Sequence, residues 1–205
     1  MDPKELILGV QRRFLAEGDL PQGVFYSSEL WDRLQGHLEE RPRGEAEEDP
    51  SFKQLIPYGV LTQGPKVFVY QRLSKSGERR LRGLWSLGVG GHARKIPGKD
   101  LQDLIEENLF RELREELEIS PWPKGKPTFR GFINDDGNAV GKVHVGLLYV
   151  WDIPESKVEV REKAKMAGEF MFLEECLRVD PELWESWSWW VLQELQTGME
   201  AVKTV

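Results

Sequence analysis

The run from Glu107 to Ile119 (Glu-Asn-Leu-Phe-Arg-Glu-Leu-Arg-Glu-Glu-Leu-Glu-Ile) is the stretch that most restricts how this chain can fold. Residues three and four apart lie on one face of a helix, so Glu112, Glu115 and Glu116 would be neighbours. A second stripe, of apolar residues, repeats every four positions: Ile105, Leu109, Leu113 and Leu117. The pattern predicts a helix that buries one face and presents three carboxylates on the adjoining face.

Three clustered carboxylates repel one another, and a cation between them removes that repulsion. Hard oxygen ligands of this kind suit Mg²⁺ or Mn²⁺. Just upstream, Gly88-Val-Gly-Gly-His92 contains glycines that permit a tight loop with exposed backbone close to such an ion. An ordinary explanation also stands, because the pairs Arg111/Glu115 and Arg114/Glu118 have the spacing of ion pairs on a charged surface helix.

This loop and helix together resemble the box of the Nudix hydrolases, which ends in Arg-Glu-apolar-any-Glu-Glu-any-Gly-apolar. The segment Arg111–Ile119 matches that ending, except that Glu118 stands where the box has glycine. Asp103 stands where the box has an earlier glutamate, and the eleven residues between Gly91 and Asp103 are more than the box has. Asp103 also has a structural explanation, which we favour, as an acidic partner of a helix cap at Asp100.

The resemblance implies an α/β fold, a Nudix-type α/β/α sandwich with a mixed β-sheet, over roughly Phe52 to Leu177. We therefore expect an N-terminal extension at residues 1–50 and a Nudix hydrolase domain with a C-terminal helix at residues 51–205. The loop form Leu-Gly-Val-Gly-Gly-His resembles a bacterial branch of MutT-like phosphoesterases. Homodimers are frequent in the family, so a homodimer is a further expectation.

The implied activity is divalent-metal-dependent hydrolysis, by water attack, of a diphosphate linkage in a nucleoside diphosphate derivative or a related compound. The implied cofactor is Mg²⁺ or Mn²⁺, and the implied metal ligands are the Gly91 carbonyl, Glu112, Glu115 and Glu116. The implied catalytic residues are Arg111, Glu112, Glu115, Glu162 and Glu169. Arg111 would orient a carboxylate, and the general base stays open among Glu112, Glu162 and Glu169.

Two rival classes share the fold. A non-catalytic Nudix-fold ligand-binding or interaction protein would lose box carboxylates, and this chain keeps all three. An isopentenyl diphosphate isomerase needs a catalytic cysteine, and Cys176, the one cysteine, follows the box at a predicted helix start. We interpret Cys176 as a buried and inert thiol, because free cysteines are among the most buried residues.

Periodicity predicts the other elements. Strands are expected at Leu6–Phe14, Leu55–Leu61, Lys66–Arg72, Leu84–Leu87, Thr128–Ile133, Val140–Ile153 and Val158–Val160. Helices are expected at Ser27–His37, in the box as far as about Ser120, and at Pro181–Leu195. Exposed loops are expected at Glu39–Pro50, Ser74–Arg80 and Arg161–Gly168. His144 is expected to be a core residue, and His92 either touches a phosphate or braces the glycine loop.

Composition narrows the class of partner. The net charge of −7 argues against binding of long nucleic acids, which usually requires a basic patch. No apolar run approaches a membrane span, and the N-terminus lacks the pattern of a signal peptide. We therefore expect a cytoplasmic protein whose partner is a small-molecule diphosphate.

Overall fold

The computed structural model describes residues 2–72, 83–164 and 166–203. The strands there are β1 Leu6–Gln11, β2 Gly23–Phe25, β3 Leu38–Pro42, β4 Phe52–Gln63, β5 Lys66–Arg72, β6 Trp85–Ser86, β7 Gly88–Gly90, β8 Leu117–Ser120, β9 Thr128–Asn134, β10 His144–Asp152, β11 Lys157–Val160 and β12 Met166–Phe172. The α-helices are α1 Arg12–Leu15, α2 Ser28–His37, α3 Arg43–Ala46, α4 Leu101–Glu116, α5 Ala139–Lys142, α6 Leu173–Cys176 and α7 Ser186–Lys203. The predicted loop Ser74–Arg80 lies outside the described residues.

The chain divides into two compact units, each built from three segments. The first unit comprises Met1–Tyr58, Gly90–Glu112 and Phe129–Tyr149. The second comprises Gly59–Val89, Leu113–Thr128 and Val150–Val205. Strands β4, β7 and β10 and helix α4 contribute residues to both units. The expected boundary after residue 50 stays a prediction.

In the first unit the strands follow the order β2-β9-β10-β4, with β1 beside β4 and β3 beside β1. The first strand pairs antiparallel with both neighbours, Gly9 lying opposite Glu39 on one side and Gln54 on the other. Ile7 of β1, Ala46 of α3 and Phe52 of β4 form a fully buried hydrophobic cluster. The N-terminal segment is thus part of the same sheet as the start of β4.

In the second unit β5 lies between the end of β4 and β12, and β6 pairs with β5. Strands β8 and β11 form a separate antiparallel ribbon. Helix α7 is fixed to the β6–β7 segment by hydrogen bonds, because the Ser188 hydroxyl accepts from the Leu87 N–H at 3.2 Å. The Tyr70 hydroxyl donates to the Gly88 carbonyl at 2.9 Å, which positions the start of the glycine loop.

Helix α4 begins where its cap predicts and ends earlier than expected. The Asp100 carboxylate accepts a hydrogen bond from the Asp103 N–H at 2.9 Å, which confirms Asp100 as the helix cap. The role of the Asp103 carboxylate as its acidic partner stays a prediction. The apolar stripe Ile105, Leu109 and Leu113 is at most 1% exposed. The prediction that the helix continues to about Ser120 is wrong, because α4 ends at Glu116. Residues Leu117–Ser120 form β8, because their backbone groups pair with β11 instead of with the preceding turn.

Residues Glu39–Pro50 were expected to form an exposed loop, and that expectation is wrong. Part of the segment forms β3, which pairs with β1, and part forms α3. Ion pairs hold the segment in place: Arg41 bonds to Asp49 at 2.8 Å, and Arg43 lies 3.9 Å from Glu5. A long-range strand partner therefore organises a stretch without any periodicity of its own.

Other boundaries also need correction. The first strand stops at Gln11 and continues as α1, and β10 starts at His144 because α5 precedes it. Strand β12 begins at Met166, inside the predicted loop Arg161–Gly168. Glu169 lies in this strand, opposite Val69. Cys176 is fully buried at the end of α6, and burial raises the pKa of its thiol to about 11. In the part of the chain described, no helix combines the length and the apolar character needed to cross a membrane.

Candidate active site

The glycine loop and helix α4 meet at Gly91. A β-carbon placed on Gly91 would overlap the carboxylate of Glu112. The Glu112 side chain is only 12% exposed, because it lies against the backbone at this point. A glycine is therefore required at position 91 for the carboxylate to approach the loop.

Arg111 links this carboxylate to the loop backbone. One guanidinium nitrogen bonds to a Glu112 oxygen at 2.7 Å, and the other donates to the His92 carbonyl at 2.9 Å. The second nitrogen also donates to Asn108 Oδ1 at 3.2 Å. A planar guanidinium can satisfy several acceptors at fixed angles, so Arg111 sets the position of both the carboxylate and the loop.

Asn108 anchors the segment that follows the loop. Its buried amide accepts from the Arg94 N–H at 2.9 Å and donates to the Arg94 carbonyl at 2.9 Å. Asn108 was not among the predicted site residues. A signal was available, since asparagine is a weak helix former and its place in the middle of a strong helix calls for another role.

His92 and His144 form a second contact that holds the end of the glycine loop, with their Nε2 atoms 3.2 Å apart. His144 Nδ1 lies 2.7 Å from the Val140 carbonyl, so this nitrogen carries the proton and Nε2 accepts from His92. Burial, reinforced by the positive charges of Arg43, Arg94 and Arg111, lowers the pKa of His92 to about 3. Burial also lowers the pKa of His144. Both rings are neutral at pH 7, and the expectation that His144 is a core residue is confirmed.

The remaining candidate residues belong to the second unit. Glu115 is exposed and Glu116 half-buried on the last turn of α4, and the Glu116 carbonyl accepts from the Arg161 N–H at 2.9 Å. Glu162 is exposed in the turn before β12, where its carbonyl accepts from the Met166 N–H. Glu169 is exposed on β12. Of the predicted site residues, the structure brings Gly91, Arg111 and Glu112 into contact within the first unit.

Proteins of known sequence and structure resemble this chain along almost its whole length. Protein YmaB of Bacillus subtilis (strain 168) is 39% identical over 203 residues, which cover 96% of this chain and 98% of YmaB. The crystal structure of Tm1382, a candidate Nudix hydrolase, has a TM-score of 0.76 and 31% identity, and the match covers 93% of this chain and 98% of Tm1382. The chain belongs to the Nudix hydrolase superfamily. A search against protein-family models gives no match.

A more distant structure shows the Nudix fold alone. The NUDIX domain of Shewanella oneidensis NrtR, crystallised with ADP ribose, is 16% identical with a TM-score of 0.52, covering 72% of this chain and 88% of that one. The predicted Nudix α/β fold is confirmed. The prediction that the protein is an enzyme acting on pyrophosphate bonds is likewise confirmed at the level of the superfamily.

Nudix hydrolases generally use divalent metals, and the box residues here supply oxygen donors. Oxygen donors suit Mg²⁺ and Mn²⁺. The Glu112 carboxylate and the Gly91 backbone are already adjacent. Within residues 2–72, 83–164 and 166–203, no group of three His, Cys, Asp or Glu side chains is positioned to hold a metal ion. The donor chemistry fits a hard divalent ion, and the assignment of individual ligands stays a prediction.

Proposed function

We propose that this Nudix protein hydrolyses a diphosphate linkage in a nucleoside diphosphate derivative, with Mg²⁺ or Mn²⁺ as cofactor. The observation that supports the proposal is the contact of the Glu112 carboxylate with Gly91, fixed by Arg111. A carboxylate held tightly against a glycine backbone places two kinds of hard oxygen donor side by side.

The proposed ligands are Glu112, Glu115, Glu116 and the Gly91 carbonyl. Their spacing along α4 places the three glutamates on one face of a helix. A bound divalent ion would offset charge on the diphosphate and lower the pKa of a water molecule. Arg111 keeps Glu112 in place through a charge-assisted hydrogen bond and holds the loop through the His92 carbonyl.

The attacking water must lose a proton to a carboxylate. Glu112 is one candidate for this general base, and its contacts with Arg111 and Gly91 fix its side chain. Glu162 and Glu169 are the others, and both are exposed in the second unit. Variants of all three, compared by the pH dependence of turnover, distinguish among them.

The decisive test is the substitution Glu116→Gln, which removes a proposed ligand charge with little change in shape. We expect Mg²⁺-dependent hydrolysis to fall by at least about a hundredfold, because the loss of a direct ligand exceeds the 10- to 100-fold effects of outer-shell changes. Phosphate release is measured with nucleotide sugars, dinucleoside polyphosphates, NADH and ADP-ribose.

The matched control is Glu118→Gln, an exposed glutamate two residues later in β8, which should leave turnover unchanged. Thermal unfolding of both variants should match that of the wild type. Full activity in Glu116→Gln would overturn the ligand assignment. Ligand binding without hydrolysis of any compound in the panel would instead favour a non-catalytic Nudix-fold binding protein.

A further inference from the structure

Helix α4 ends at Glu116 without the residue that commonly closes such an end. Glu118 is the second residue after the helix, where many helices carry a glycine in the left-handed conformation. The Nudix box has glycine at this place, and this chain has glutamate. Among the residues that the structure describes, only glycines have a positive φ, so Glu118 does not form that cap. The end of α4 therefore depends on another group.

The groups that need a donor at this end are backbone carbonyls. The last four carbonyls of a helix have no donor within the helix itself. For Arg114 and Glu116, the N–H groups four residues later belong to Glu118 and Ser120, which lie in β8 and face β11. Helix ends without other donors fray. A stable last turn of α4 thus requires donors from elsewhere in the chain.

Arg161, in the turn between β11 and β12, supplies these donors. Its backbone N–H donates to the Glu116 carbonyl at 2.9 Å. Its side-chain Nε–H is shared between the carbonyl of Arg114, at 2.7 Å, and that of Leu117, at 3.1 Å. All four residues belong to the second unit. One residue thus binds three carbonyls at the end of α4.

The charge of Arg161 adds to these hydrogen bonds. Carbonyls at the C-terminus of a helix carry partial negative charge, which a cation stabilises. The last turn also carries two adjacent carboxylates, Glu115 and Glu116, and like charges held close together repel. A guanidinium fixed at this end therefore favours the closed turn over a frayed one.

The turn that Arg161 closes carries two of the proposed metal ligands, Glu115 and Glu116. We propose that Arg161 is a positioning residue, which replaces the box glycine as the cap of α4 and holds these two carboxylates in the arrangement that binds the divalent ion. The inference rests on the proposed function, because only that function assigns the two glutamates as ligands. Loss of the Arg161 side chain should weaken metal binding although every ligand is still present.

The first test follows the helix end and needs no metal. Arg161→Met removes the Nε donor and the charge, and keeps the backbone bond to Glu116. Amide hydrogen exchange of residues 113–116 in the metal-free protein should become roughly 2- to 30-fold faster, the range for loss of a cation at a helix C-terminus. Exchange in β5, a strand of the same unit, should not change. Wild-type exchange rates in residues 113–116 would contradict the cap.

The second test measures the metal. The Mg²⁺ concentration for half-maximal hydrolysis should rise roughly 10- to 100-fold in Arg161→Met, the range for groups that support metal ligands without binding the ion. Turnover at saturating Mg²⁺ should return close to the wild-type value. Mn²⁺ binding, measured by electron paramagnetic resonance without substrate, should weaken by the same factor. A residue that serves only the stability of the fold would leave these affinities unchanged in the folded protein.

Two further variants separate the cap from charge in general. Arg161→Lys keeps a cation and a donor, so in both tests it should lie between the wild type and Arg161→Met. Lys157→Met removes an exposed cation from β11, which pairs with β8, and should behave like the wild type. Both positions are exposed, so thermal unfolding should change little in all three variants.

The outcomes distinguish this inference from the proposed function. Faster exchange at the end of α4 with unchanged Mg²⁺ and Mn²⁺ affinity would show a cap that positions no ligand, and would overturn the proposal. An equal loss of Mn²⁺ affinity in Lys157→Met would attribute the effect to net charge and overturn it as well. A wild-type protein that binds no Mn²⁺ and hydrolyses none of the compounds would instead overturn the proposed function, and the exchange result would still decide whether Arg161 is the cap.

Discussion

Two carboxylates of the first unit, Asp136 and Glu112, are both held by a guanidinium group, and they differ in where their partners come from. Asp136 bonds to both terminal nitrogens of Arg12, at 2.9 and 2.6 Å, and to Lys53 at 2.7 Å. These partners lie 124 and 83 residues away in sequence. Glu112 bonds to the adjacent residue, Arg111. The first carboxylate ties distant segments together, whereas the contacts described for the second lie inside one motif.

The Asp136 network has the properties of a structural anchor. Lys53 is fully buried, and its ammonium also donates to Asn134 Oδ1 and to the Gly141 and His144 carbonyls. Burial alone would raise the pKa of Asp136, but hydrogen bonds from Arg12, Lys53 and Asn134 lower it well below its usual range. The charges in this network are satisfied by the protein itself.

The largest effect on stability should come from Lys53→Met. This change removes a buried cation and leaves three carbonyl acceptors without their donor, so we expect a loss of roughly 3–5 kcal/mol in the free energy of unfolding. Urea denaturation measures it. Lys142→Met, at an exposed lysine on α5, is the control and should change stability by less than about 0.5 kcal/mol. A loss below about 1 kcal/mol in Lys53→Met would show that the network is not an anchor.

A smaller effect, which depends on pH, should follow from Asp136→Asn. At pH 7 we expect a loss of roughly 1.5–3 kcal/mol, the range for hydrogen bonds to charged groups. Because the folded pKa of Asp136 is depressed, the unfolded chain binds the extra proton first as pH falls. The stability difference between wild type and variant should therefore be constant above about pH 5 and shrink below about pH 4. A difference that grows on acidification would contradict the direction of this pKa shift.

The same contrast explains what the sequence could predict. Local signals located α4, its Asp100 cap and the stripe that begins at Ile105, because each depends on residues within a few positions. The approach of Glu112 to Gly91 was also anticipated as a glycine loop beside the acidic helix face.

Features that depend on distant partners were missed. Asp136 was not among the residues predicted to have a role, since nothing near it in sequence indicates Arg12 or Lys53. The strand β3 was mistaken for a loop because its order comes from pairing with β1. The predicted end of helix α4 was too late for the same reason, because β11 supplies the hydrogen bonds that make Leu117–Ser120 a strand.

The smallest effect on stability is expected from Gly91→Ala. The same variant tests most directly whether the contact between Gly91 and Glu112 matters for hydrolysis. The new methyl group would overlap the end of the Glu112 side chain, which is flexible and can rotate away. We therefore expect a loss of less than about 1 kcal/mol in the free energy of unfolding. Hydrolysis should fall at least about tenfold, because a carboxylate displaced by an ångström no longer has its working geometry.

The control for Gly91→Ala is Gly36→Ala in helix α2, where an added methyl group meets no atom within 4 Å. That variant should be as stable as the wild type or more so, since alanine favours a helix over glycine by up to about 1 kcal/mol. Its turnover should not change. If Gly91→Ala retained full turnover, the close contact between the glycine loop and Glu112 would serve packing alone. Glu112 would then be a structural residue, like Asp136. If Gly91→Ala lost turnover at unchanged stability and Gly36→Ala did not, Glu112 would have a role in catalysis. Asp136 would then differ from Glu112 in role, as a structural anchor, as well as in the origin of its partners.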